Sequence, residues 1–487
     1  MALPKRKSTG QISVAHRPRW TFIGRILTKN GPVFLLLLVP PLIVALLEGK
    51  IRLVIALATP ALFTLVLFIV RGRIELPTNI RRIEAVVSVA MVFVLGVILT
   101  WPAYLALGLD PIDALFEATS ALTTTGFSMI ITPEDLPVSG HFLRAWSQWC
   151  GGLVIAIAGL AFLMGSGPAA KVLGFVDFAE EHMESSSRRH AQALIWTYLS
   201  ITVFGVVGAA ILIPASLDGP LLVLSAVSTG GMAPRSDSLA SYSAPAQAFL
   251  VLLGTVGAVT LAFPVLAKRH SLASALQASN LPSFGKTVLI ALCAYMLINI
   301  LSGTHSPGAV WTGLLTLLSL QSTTGFTVEP VAGPPPFLIL LVVLMAIGGQ
   351  TGSTAGGLKI ERIRVLLNTV SLTLRQLLSP AKAVHFLRLD GEILEPDRMA
   401  FALSLFVSYV ATVLLLWIAF TLCGLPAMSS LFDIVSALST VGAGTGVIGP
   451  DLALGLKVLT VLAMLLGRIE FFGLLVLAHP RTWKRKD

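Results

Sequence analysis

Long apolar runs recur through the whole chain and restrict what it can fold into. Many of these runs approach the roughly 20 apolar residues that cross a bilayer as one α-helix. Charged residues make up only 12% of the 487 residues, and the mean hydropathy is +0.87. A water-soluble core does not need apolar runs of this length and number. We therefore expect a polytopic α-helical membrane protein that lies in a lipid bilayer.

The hydropathy pattern predicts ten membrane-spanning helices. Two of them are short, because one contains Pro40 and Pro41 and the other stops at a cluster of glycines. The first span follows a basic stretch and has no small-residue cleavage site, so we expect a retained helix and not a signal peptide. The predicted spans cover residues 32–47, 53–70, 84–101, 143–164, 195–213, 246–267, 288–301, 336–347, 401–422 and 456–477.

The distribution of lysine and arginine predicts the orientation of these spans. An even number of spans places both termini on one side of the membrane. The loops near 71–83, 168–190, 268–287 and 358–398 and the tail after Ala478 lie on the same side as the N-terminus. Together with the N-terminus, these segments contain 28 of the 34 lysines and arginines. Positively charged loops stay in the cytoplasm, so both termini are predicted to be cytoplasmic. This topology accounts for the net charge of +10 without a nucleic-acid partner.

A short polar motif interrupts the apolar pattern four times. Every copy obeys S-x-x-[ST]-T-x-G and lies between two spans on the outer side. Threonine and glycine are poor helix formers, and the segments are too short to cross the membrane twice. We expect re-entrant segments that enter as a short helix and return as extended chain. The copies are SALTTTGFS at 120–128, SAVSTGGMA at 225–233, SLQSTTGFT at 319–327 and SALSTVGAG at 436–444.

The repeated unit is therefore a span, a re-entrant segment and a second span. Such a repeat sets the architecture before any local motif does. Because each unit has an even number of spans, the copies are parallel and related about the membrane normal. The predicted fold is an all-α polytopic membrane protein with four parallel helix–re-entrant pore loop–helix repeats. The repeats are expected in a pseudo-fourfold arrangement around one pore, preceded by two extra transmembrane helices.

The chemistry of the repeated loops favours a cation. Non-helical backbone at membrane depth is tolerated where it lines water or is buried in protein. Four loops that meet at an axis present rings of carbonyl oxygens, which replace the hydration shell of a K⁺ ion. Glycine permits the required backbone angles and keeps side chains away from the axis. Each short helix also points its partially negative C-terminal end into the membrane.

Because of these four loops and the spans around them, the chain resembles the Trk/Ktr/HKT superfamily of potassium transporters along essentially its whole length. The extra helix pair makes it most like the TrkH/TrkG-type branch. In relatives that pass Na⁺ the first filter glycine is often serine, so Gly126 implies K⁺. The second and fourth loops depart from the T-T-G-F form. The resemblance implies a selectivity filter that binds K⁺ at Thr124, Thr125, Gly126, Thr229, Gly230, Gly231, Thr323, Thr324, Gly325, Thr440, Val441 and Gly442.

The repeats divide the chain into five segments. Residues 1–77 are expected to form the cytoplasmic N-terminus and the two extra transmembrane helices. Pore repeats 1 and 2 are expected at 78–180 and 181–279. Pore repeat 3, with an intramembrane glycine-rich loop, is expected at 280–395, and pore repeat 4 at 396–487.

A glycine cluster, GGQTGSTAGGLK, occupies residues 348–359 and would break a helix there. It does not match the phosphate-binding pattern, because Leu358 separates Gly357 from Lys359 and no serine or threonine follows. No nucleotide is therefore expected on this chain. A plain cytoplasmic turn is the simpler alternative. The resemblance instead implies an intramembrane gate below the filter, formed by Gly348, Gly349, Gly352, Ser353, Gly356, Gly357 and Arg468.

Arg468 lies inside the last predicted span, where an ionisable side chain is costly and usually functional. Glu470 is two residues away and does not share its helical face. A structural ion pair or a side chain that reaches the cytoplasm is the simpler alternative. The resemblance implies an electrostatic barrier below the filter, and we expect backbone carbonyls of the 348–357 loop to hold it.

Acidic residues also precede two of the loops. Asp113 and Glu117 lie before the first filter segment, and Asp433 aligns with Glu117 nine residues before its glycine. These carboxylates would attract cations at the outer mouth, or they would cap and brace the short helices. Bracing is the preferred interpretation.

The expected function is potassium uptake across the prokaryotic cytoplasmic membrane through a channel-like filter. The resemblance implies a homodimer and a cytosolic TrkA-type nucleotide-binding subunit that regulates the gate. A Na⁺-permeable carrier, or a symporter that couples K⁺ to H⁺ or Na⁺, remains an alternative on the same scaffold. An intramembrane enzyme is disfavoured, because all eight histidines fall outside the predicted spans or at their ends.

Overall fold

A computed structural model describes most of the chain, and helices dominate it. The basic stretch before Arg19 and most of the predicted loops 71–83 and 168–190 lie outside the described residues, as do the predicted boundaries at 77, 180 and 395. Two short strands, β1 (Arg388–Leu389) and β2 (Glu392–Ile393), form an antiparallel pair. The described residues are 19–71, 82–163, 183–214, 216–264, 267, 275–276, 279–303, 306–380, 388–389, 392–394 and 396–483.

The helices are numbered here in chain order over the described residues. A single 3₁₀ turn, Pro133–Asp135, lies between the fifth and the sixth. The bounds are α1 Trp20–Lys29, α2 Gly31–Leu47, α3 Ile51–Arg71, α4 Arg82–Ala106, α5 Pro111–Leu122, α6 Val138–Leu163, α7 Met183–Leu212, α8 Asp218–Val227, α9 Ala244–Gly257, α10 Leu281–Ser302, α11 Pro307–Gln321, α12 Pro335–Ile347, α13 Ile360–Leu377, α14 Pro396–Leu422, α15 Ala427–Leu438, α16 Leu454–Arg468, α17 Phe472–Ala478 and α18 Pro480–Trp483.

Five described helices are long and apolar enough to cross a membrane singly. Two pairs of helices pass the same test when each pair is taken together: α1 with α2, bent by 40°, and α16 with α17, bent by 119°. The described part of the chain therefore crosses a membrane several times. The five single spans are Ile51–Val70, Val86–Ala106, Ala191–Leu212, Leu281–Ser302 and Pro396–Leu422.

The prediction of one continuous helix over 246–267 is wrong. Helix α9 ends at Gly257, and the backbone groups released there pair with a segment far along the chain. The Gln350 N–H donates to the carbonyl of Ala258 at 3.0 Å, and the Gln350 side chain accepts the N–H of Thr260 at 3.0 Å. A hydropathy pattern does not reveal this break, because the atoms that satisfy the freed backbone come from another repeat.

The prediction of one continuous helix over 456–477 is also wrong. Helix α16 ends at Arg468, and the chain turns by 119° before α17 begins. Glu470 and Phe471 both adopt the left-handed region, with φ of 54° and 62°. The Phe471 N–H closes the helix end by donating to the carbonyl of Leu466 at 2.9 Å. A sharp bend of this kind needs a local break in the helical hydrogen-bond ladder.

Helices α1 and α13 lie in stretches where the sequence predicts neither a span nor a re-entrant segment. Helix α1 precedes the first span, and α13 follows the glycine cluster inside the loop predicted at 358–398. Ile360 and Val365 of α13 are buried, whereas Leu374 and Leu377 near its end are exposed. The polypeptide after the glycine cluster therefore continues as an amphipathic helix and not as an irregular loop.

Four short helices, α5, α8, α11 and α15, organise the fold. Each packs against the two helices that flank it in the chain. Each also packs against a helix from the preceding unit: α8 against α6, α11 against α9, and α15 against α12. Helix α5 packs against α16, which is the corresponding helix of the last unit. The contacts therefore run in a closed circle, although the chain itself is linear.

The extra helices α2 and α3 form a hairpin beside the first unit. Helix α2 packs on α6, and α3 packs on α4. The Glu48 carboxylate in the hairpin turn accepts the N–H groups of Val138 and Ser139, at 3.1 and 2.8 Å, and also the Ser139 hydroxyl. Glu48 thus accepts hydrogen bonds from free N–H groups at the start of α6. Its negative charge is also stabilising there, because it lies at the partially positive end of the α6 dipole.

Candidate ion pathway

The four short helices end with the same hydrogen-bond pattern. In each case a backbone N–H in the polar motif donates to the carbonyl of the first motif serine, at 2.8–2.9 Å. The residue before that donor is a threonine in the left-handed region. This is the Schellman arrangement, which ends a helix and turns the chain away from its axis. The four threonines are Thr124 (φ 54°), Thr229 (φ 53°), Thr323 (φ 57°) and Thr440 (φ 52°).

The motif therefore has a local structural meaning. Its first serine supplies the accepting carbonyl, and the spacing shared by the four copies places the threonine at the left-handed position. A β-branched residue rarely adopts that conformation, so the surrounding contacts must hold it. Strained backbone of this kind is typical of functional sites.

The four motif glycines approach one another in a closed ring. All adopt positive φ: 101° at Gly126, 72° at Gly231, 80° at Gly325 and 83° at Gly442. A methyl group on each would lie against a carbonyl oxygen of the next loop. The distances would be 2.3 Å from Gly126 to Gly230 O, 2.2 Å from Gly231 to Thr324 O, 1.7 Å from Gly325 to Val441 O, and 2.0 Å from Gly442 to Thr125 O.

These contacts pass from the first loop to the second, third and fourth, and then back to the first. The four glycines therefore surround a common centre, as a single-chain ring requires. Glycine is needed at each position, because the backbone is left-handed and the neighbouring carbonyl leaves no room for a Cβ atom. The carbonyls on this ring belong to Thr125, Gly230, Thr324 and Val441.

The hydroxyls of the left-handed threonines differ in their partners. The Thr229 hydroxyl donates to the carbonyl of Ser228 at 2.7 Å, and the Thr323 hydroxyl accepts the N–H of Gly356 at 2.8 Å. The hydroxyls of Thr124 and Thr440 are buried and have no hydrogen-bond partner among the described residues. Buried polar oxygens without a protein partner fit a site that a cation would complete.

A buried ion pair braces the first loop. Arg144 donates to the Glu117 carboxylate at 2.9 Å, and both side chains are almost completely buried. Glu117 also accepts the N–H of Met129 at 2.9 Å and the hydroxyl of Ser128 at 3.1 Å. Arg144 donates further to the carbonyl of Ala233, at 3.3 Å, and so connects the first loop to the second.

Asp433 braces the fourth loop in a similar way. One carboxylate oxygen accepts the N–H and the hydroxyl of Thr445 at 2.6 and 2.9 Å. The other accepts the N–H groups of Val447 and Ile448 at 3.0 and 2.9 Å. Asp113 instead pairs with Lys457 at 2.6 Å and ties α5 to α16. The preferred interpretation of these acids as braces therefore agrees with their contacts.

Replacing Asp433 by asparagine is expected to destabilise the protein by roughly 2 to 4 kcal/mol, because the amide nitrogen would face N–H donors that now bind a charged oxygen. Thermal unfolding in detergent, followed by size-exclusion chromatography of the surviving fraction, measures this effect. Asp451→Asn is the matched control, since Asp451 is exposed and its replacement is expected to leave the unfolding temperature unchanged. Equal unfolding temperatures for both variants would contradict the bracing role.

The glycine cluster forms a buried loop between α12 and α13, in contact with the loops that carry the polar motif. The Gly356 N–H donates to the Thr323 hydroxyl, and a Cβ atom on Gly356 would lie 2.0 Å from the carbonyl of Ser439. The Thr354 hydroxyl donates to the carbonyl of Val227 at 3.1 Å. The loop therefore contacts the second, third and fourth repeats at once. A plain turn at the cytoplasmic surface does not make such contacts.

Close contacts between the two ends of the loop explain its glycines. A Cβ atom on Gly348 would lie 2.2 Å from the carbonyl of Gly356, and one on Gly349 would lie 2.5 Å from the Ala355 methyl. Positive φ occurs at three glycines: Gly348 (69°), Gly352 (76°) and Gly357 (74°). The Ser353 hydroxyl donates to the carbonyl of Gln350 at 2.5 Å inside the loop.

Arg468 lies against this loop. Its side chain is only 2% exposed. One guanidinium nitrogen donates to the carbonyl of Thr354 at 2.8 Å, and the other donates to the carbonyl of Gly151 at 3.5 Å. Glu470 pairs instead with Arg362 at 2.6 Å. The arginine is thus held by backbone carbonyls, and it does not reach the cytoplasmic surface.

Sequence reasoning missed three buried glutamines that link the loops. Gln148 donates to the carbonyl of Gly230, and Gln350 accepts the N–H of Thr260 after the break at the end of α9. Gln321 donates to the carbonyl of Gly348 at 2.9 Å. All three are completely buried. The available signal was an uncharged amide beside or within an apolar run, where a polar group must find a partner.

Comparisons with known proteins identify related cation transporters. The sequence model of the TrkH family, described as a cation transport protein, matches residues 75–271 and 299–485. The Trk system potassium uptake protein TrkH of Vibrio parahaemolyticus is 31% identical over 398 residues, which cover 76% of this chain and 79% of the relative. An uncharacterized cation transporter of Methanocaldococcus jannaschii is 29% identical over 425 residues, which cover 86% and 87% of the two chains.

A solved structure extends the likeness to three dimensions. The crystal structure of the potassium transporter TrkH from Vibrio parahaemolyticus superposes with a TM-score of 0.81 at 24% identity. The superposition covers 96% of this chain and 100% of the other. The predicted all-α polytopic membrane fold is therefore confirmed.

Proposed function

The chain belongs to the TrkH family of cation transport proteins, and on this premise we propose that it carries potassium ions through the ring at Gly126, Gly231, Gly325 and Gly442. It is a multi-pass membrane transport protein and not an enzyme. The observation that carries the proposal is the cyclic approach of each glycine to a carbonyl of the next loop. A dehydrated K⁺ ion at the centre would receive oxygen ligands from all four loops.

The proposed filter uses the backbone and the threonine hydroxyls as ligands. Its residues are those of the four loops that the resemblance implies, from Thr124–Gly126 in the first to Thr440–Gly442 in the fourth. The buried and unpartnered hydroxyls of Thr124 and Thr440 support this assignment. The short helices support it too, since their C-terminal ends direct partial negative charge towards the ring. K⁺ is here the transported ion and not a resident cofactor.

We propose that the loop at 348–357 and Arg468 form the gate. The loop contacts three of the four repeats, and Arg468 brings a positive charge to the same place. An unneutralised charge in a narrow path raises the energy of a passing cation. Displacement of the loop would therefore be needed for rapid flux.

The remaining assignments are proposals of the same kind. The pore repeats are assigned to 78–180, 181–279, 280–395 and 396–487, after an extra helix pair within 1–77. The charge distribution supports cytoplasmic termini in a prokaryotic cytoplasmic membrane, where the potential supplies about 2.3 kcal/mol per charge per 100 mV. The family resemblance supports a homodimer whose gate is regulated by a cytosolic TrkA-type subunit. Any regulatory nucleotide would bind that subunit.

Vesicles that contain only this chain are expected to take up ⁸⁶Rb⁺ or K⁺ when an inside-negative potential is applied. Excess Na⁺ is expected to compete weakly. Gly126→Ser is expected to lower K⁺ uptake and to raise Na⁺ competition in the uptake that remains, because the added side chain meets the carbonyl of Gly230 in the ring. Isotope uptake per milligram of protein measures both effects. Equal Na⁺ and K⁺ uptake by the unmodified chain would instead favour a Na⁺-permeable carrier, and dependence on a H⁺ or Na⁺ gradient would favour a symporter.

A further inference from the structure

Gln148 connects the first repeat to the filter loop of the second. It lies in α6 and is completely buried. Its side-chain amide donates to the carbonyl of Gly230 at 2.6 Å. Its side-chain oxygen accepts the Ser225 hydroxyl at 2.6 Å and the N–H of Met232 at 3.3 Å. One side chain thus bonds to three parts of the second loop: Ser225 in the short helix, Gly230 at the ring, and Met232 after it.

The orientation of this amide is set by its partners. The Met232 backbone N–H only donates, so it must face the side-chain oxygen of Gln148. The Gly230 carbonyl only accepts, so it must face the side-chain nitrogen. The hydrogen bond to Gly230 is therefore a donation from Gln148 in the only arrangement that satisfies both groups.

The Gly230 carbonyl is one of the four on the glycine ring. It is the atom that a Cβ atom on Gly126 would approach to 2.3 Å. The equivalent carbonyls belong to Thr125, Thr324 and Val441, and within the described chain no hydrogen bond to any of them is found. The second loop is therefore the one whose ring carbonyl is held by a side-chain donor.

Gln148 also explains why the second loop departs from the others. The other loops carry Thr125, Thr324 and Val441 where this loop carries Gly230. A Cβ atom at Gly230 would lie 2.4–2.7 Å from the amide atoms of Gln148. The amide therefore fills the space that a β-branched side chain occupies elsewhere.

The two threonines among these side chains brace their own loops. In the first loop the Thr125 hydroxyl pairs with that of Thr123 at 2.7 Å, and in the third loop Thr324 pairs with Ser322 at 2.8 Å. Gly230 has no hydroxyl to offer. The support for the second loop comes instead from another repeat, through Gln148.

We propose that Gln148 is a specificity-determining positioning residue, which holds the Gly230 carbonyl at the distance that suits K⁺ and prevents it from closing on the smaller Na⁺. This inference rests on the proposed function. A carbonyl bonded to a fixed amide moves less and presents a weaker field to the ion, and both effects disfavour Na⁺, which requires shorter and stronger contacts. Gln148 acts through the carbonyl and does not itself contact the ion.

Gln148→Met is expected to lower the ratio of K⁺ to Na⁺ uptake by about fivefold, the size of one net hydrogen bond. Methionine keeps the volume of the side chain but removes the donor. The ratio is measured by isotope uptake into vesicles of the full chain, because a purely structural loss would reduce both ions equally. Gln247→Met is the matched control. Gln247 is a buried glutamine that donates to the carbonyls of Leu239 and Tyr242, outside the ring, and its replacement is expected to leave the ratio unchanged.

A second pair of variants tests the same contact independently. Gly230→Ala alone is expected to abolish uptake, because the added methyl group overlaps the Gln148 amide. Gln148→Ala combined with Gly230→Ala removes the overlap and is expected to restore K⁺ uptake with a lowered ratio. An unchanged ratio in Gln148→Met or in the double variant, in vesicles where the unmodified chain is selective for K⁺, would overturn this inference alone. Absence of K⁺ uptake by the unmodified chain would overturn the proposed function as well.

Discussion

Replacing Gly325 by alanine is expected to abolish potassium uptake by a chain that still enters the membrane. The added methyl group would lie 1.7 Å from the carbonyl oxygen of Val441, far inside contact distance. Both atoms belong to backbone that packs closely around the ring, so neither has space to withdraw. The third and fourth loops must separate, and the ring can no longer enclose an ion. We expect ⁸⁶Rb⁺ uptake at equal protein to fall by about a hundredfold, which is the order that a 1 Å misplacement costs where geometry must be exact.

Gly424→Ala is the matched control for this variant. Gly424 has φ of 83°, close to the 80° of Gly325, but nothing lies within 4 Å of its Cβ position. Alanine at either site carries a similar backbone cost of roughly 1 kcal/mol. Only Gly325→Ala adds the overlap with a ring carbonyl. Uptake that falls equally in both variants would show that backbone strain, and not the ring, causes the loss.

Replacing Arg468 by alanine is expected to raise potassium flux by about tenfold. The buried guanidinium places a positive charge beside the glycine-rich loop and holds the loop through the carbonyl of Thr354. Its removal lowers the electrostatic barrier and also releases one charge-assisted hydrogen bond, worth roughly 1.5 to 3 kcal/mol. A change of about 1.4 kcal/mol in a closed-to-open equilibrium corresponds to tenfold. Flux into vesicles at equal protein, or open probability in a bilayer recording, measures the effect.

Arg468→Lys separates the two contributions. Lysine keeps the charge but cannot reach two carbonyls with a planar fork. Its flux is expected to lie between that of the unmodified chain and that of Arg468→Ala. The result that would contradict the proposed barrier is unchanged flux in Arg468→Ala, provided that thermal unfolding shows an intact protein.

The four breaks at the polar motif were predictable from the sequence for a local reason. Each short helix ends in a Schellman turn, whose hydrogen bonds join residues only five apart, such as Thr125 and Ser120. Such a turn needs a fixed spacing of residue types, and the spacing appears as S-x-x-[ST]-T-x-G. The repetition of this motif between apolar runs was then sufficient to predict four parallel units.

The glycine-rich loop and the arginine of the proposed gate were predictable only in part. The glycines at 348–357 and the charge of Arg468 stand out against apolar surroundings, so their positions were found. Their contacts were not, because the loop bonds to Val227 and Thr323 and closely approaches Ser439, which lie in three different copies of the polar motif. The break at Gly257 escaped for the same reason, since its backbone groups bond to the distant Gln350. The break at Glu470 escaped because hydropathy averages over composition and does not register the left-handed backbone of Glu470 and Phe471.

The sequence by itself determined that this chain is built from helices that lie in a membrane, and that one short motif with a threonine and a glycine recurs four times between them. These properties depend on hydropathy and on hydrogen bonds between near neighbours. Only the tertiary structure decided that Gly442 meets Thr125 and closes the ring, and that Gln148 takes the place of a side chain at Gly230. Such contacts join residues separated by tens to hundreds of positions, and they depend on packing that no single stretch of sequence contains.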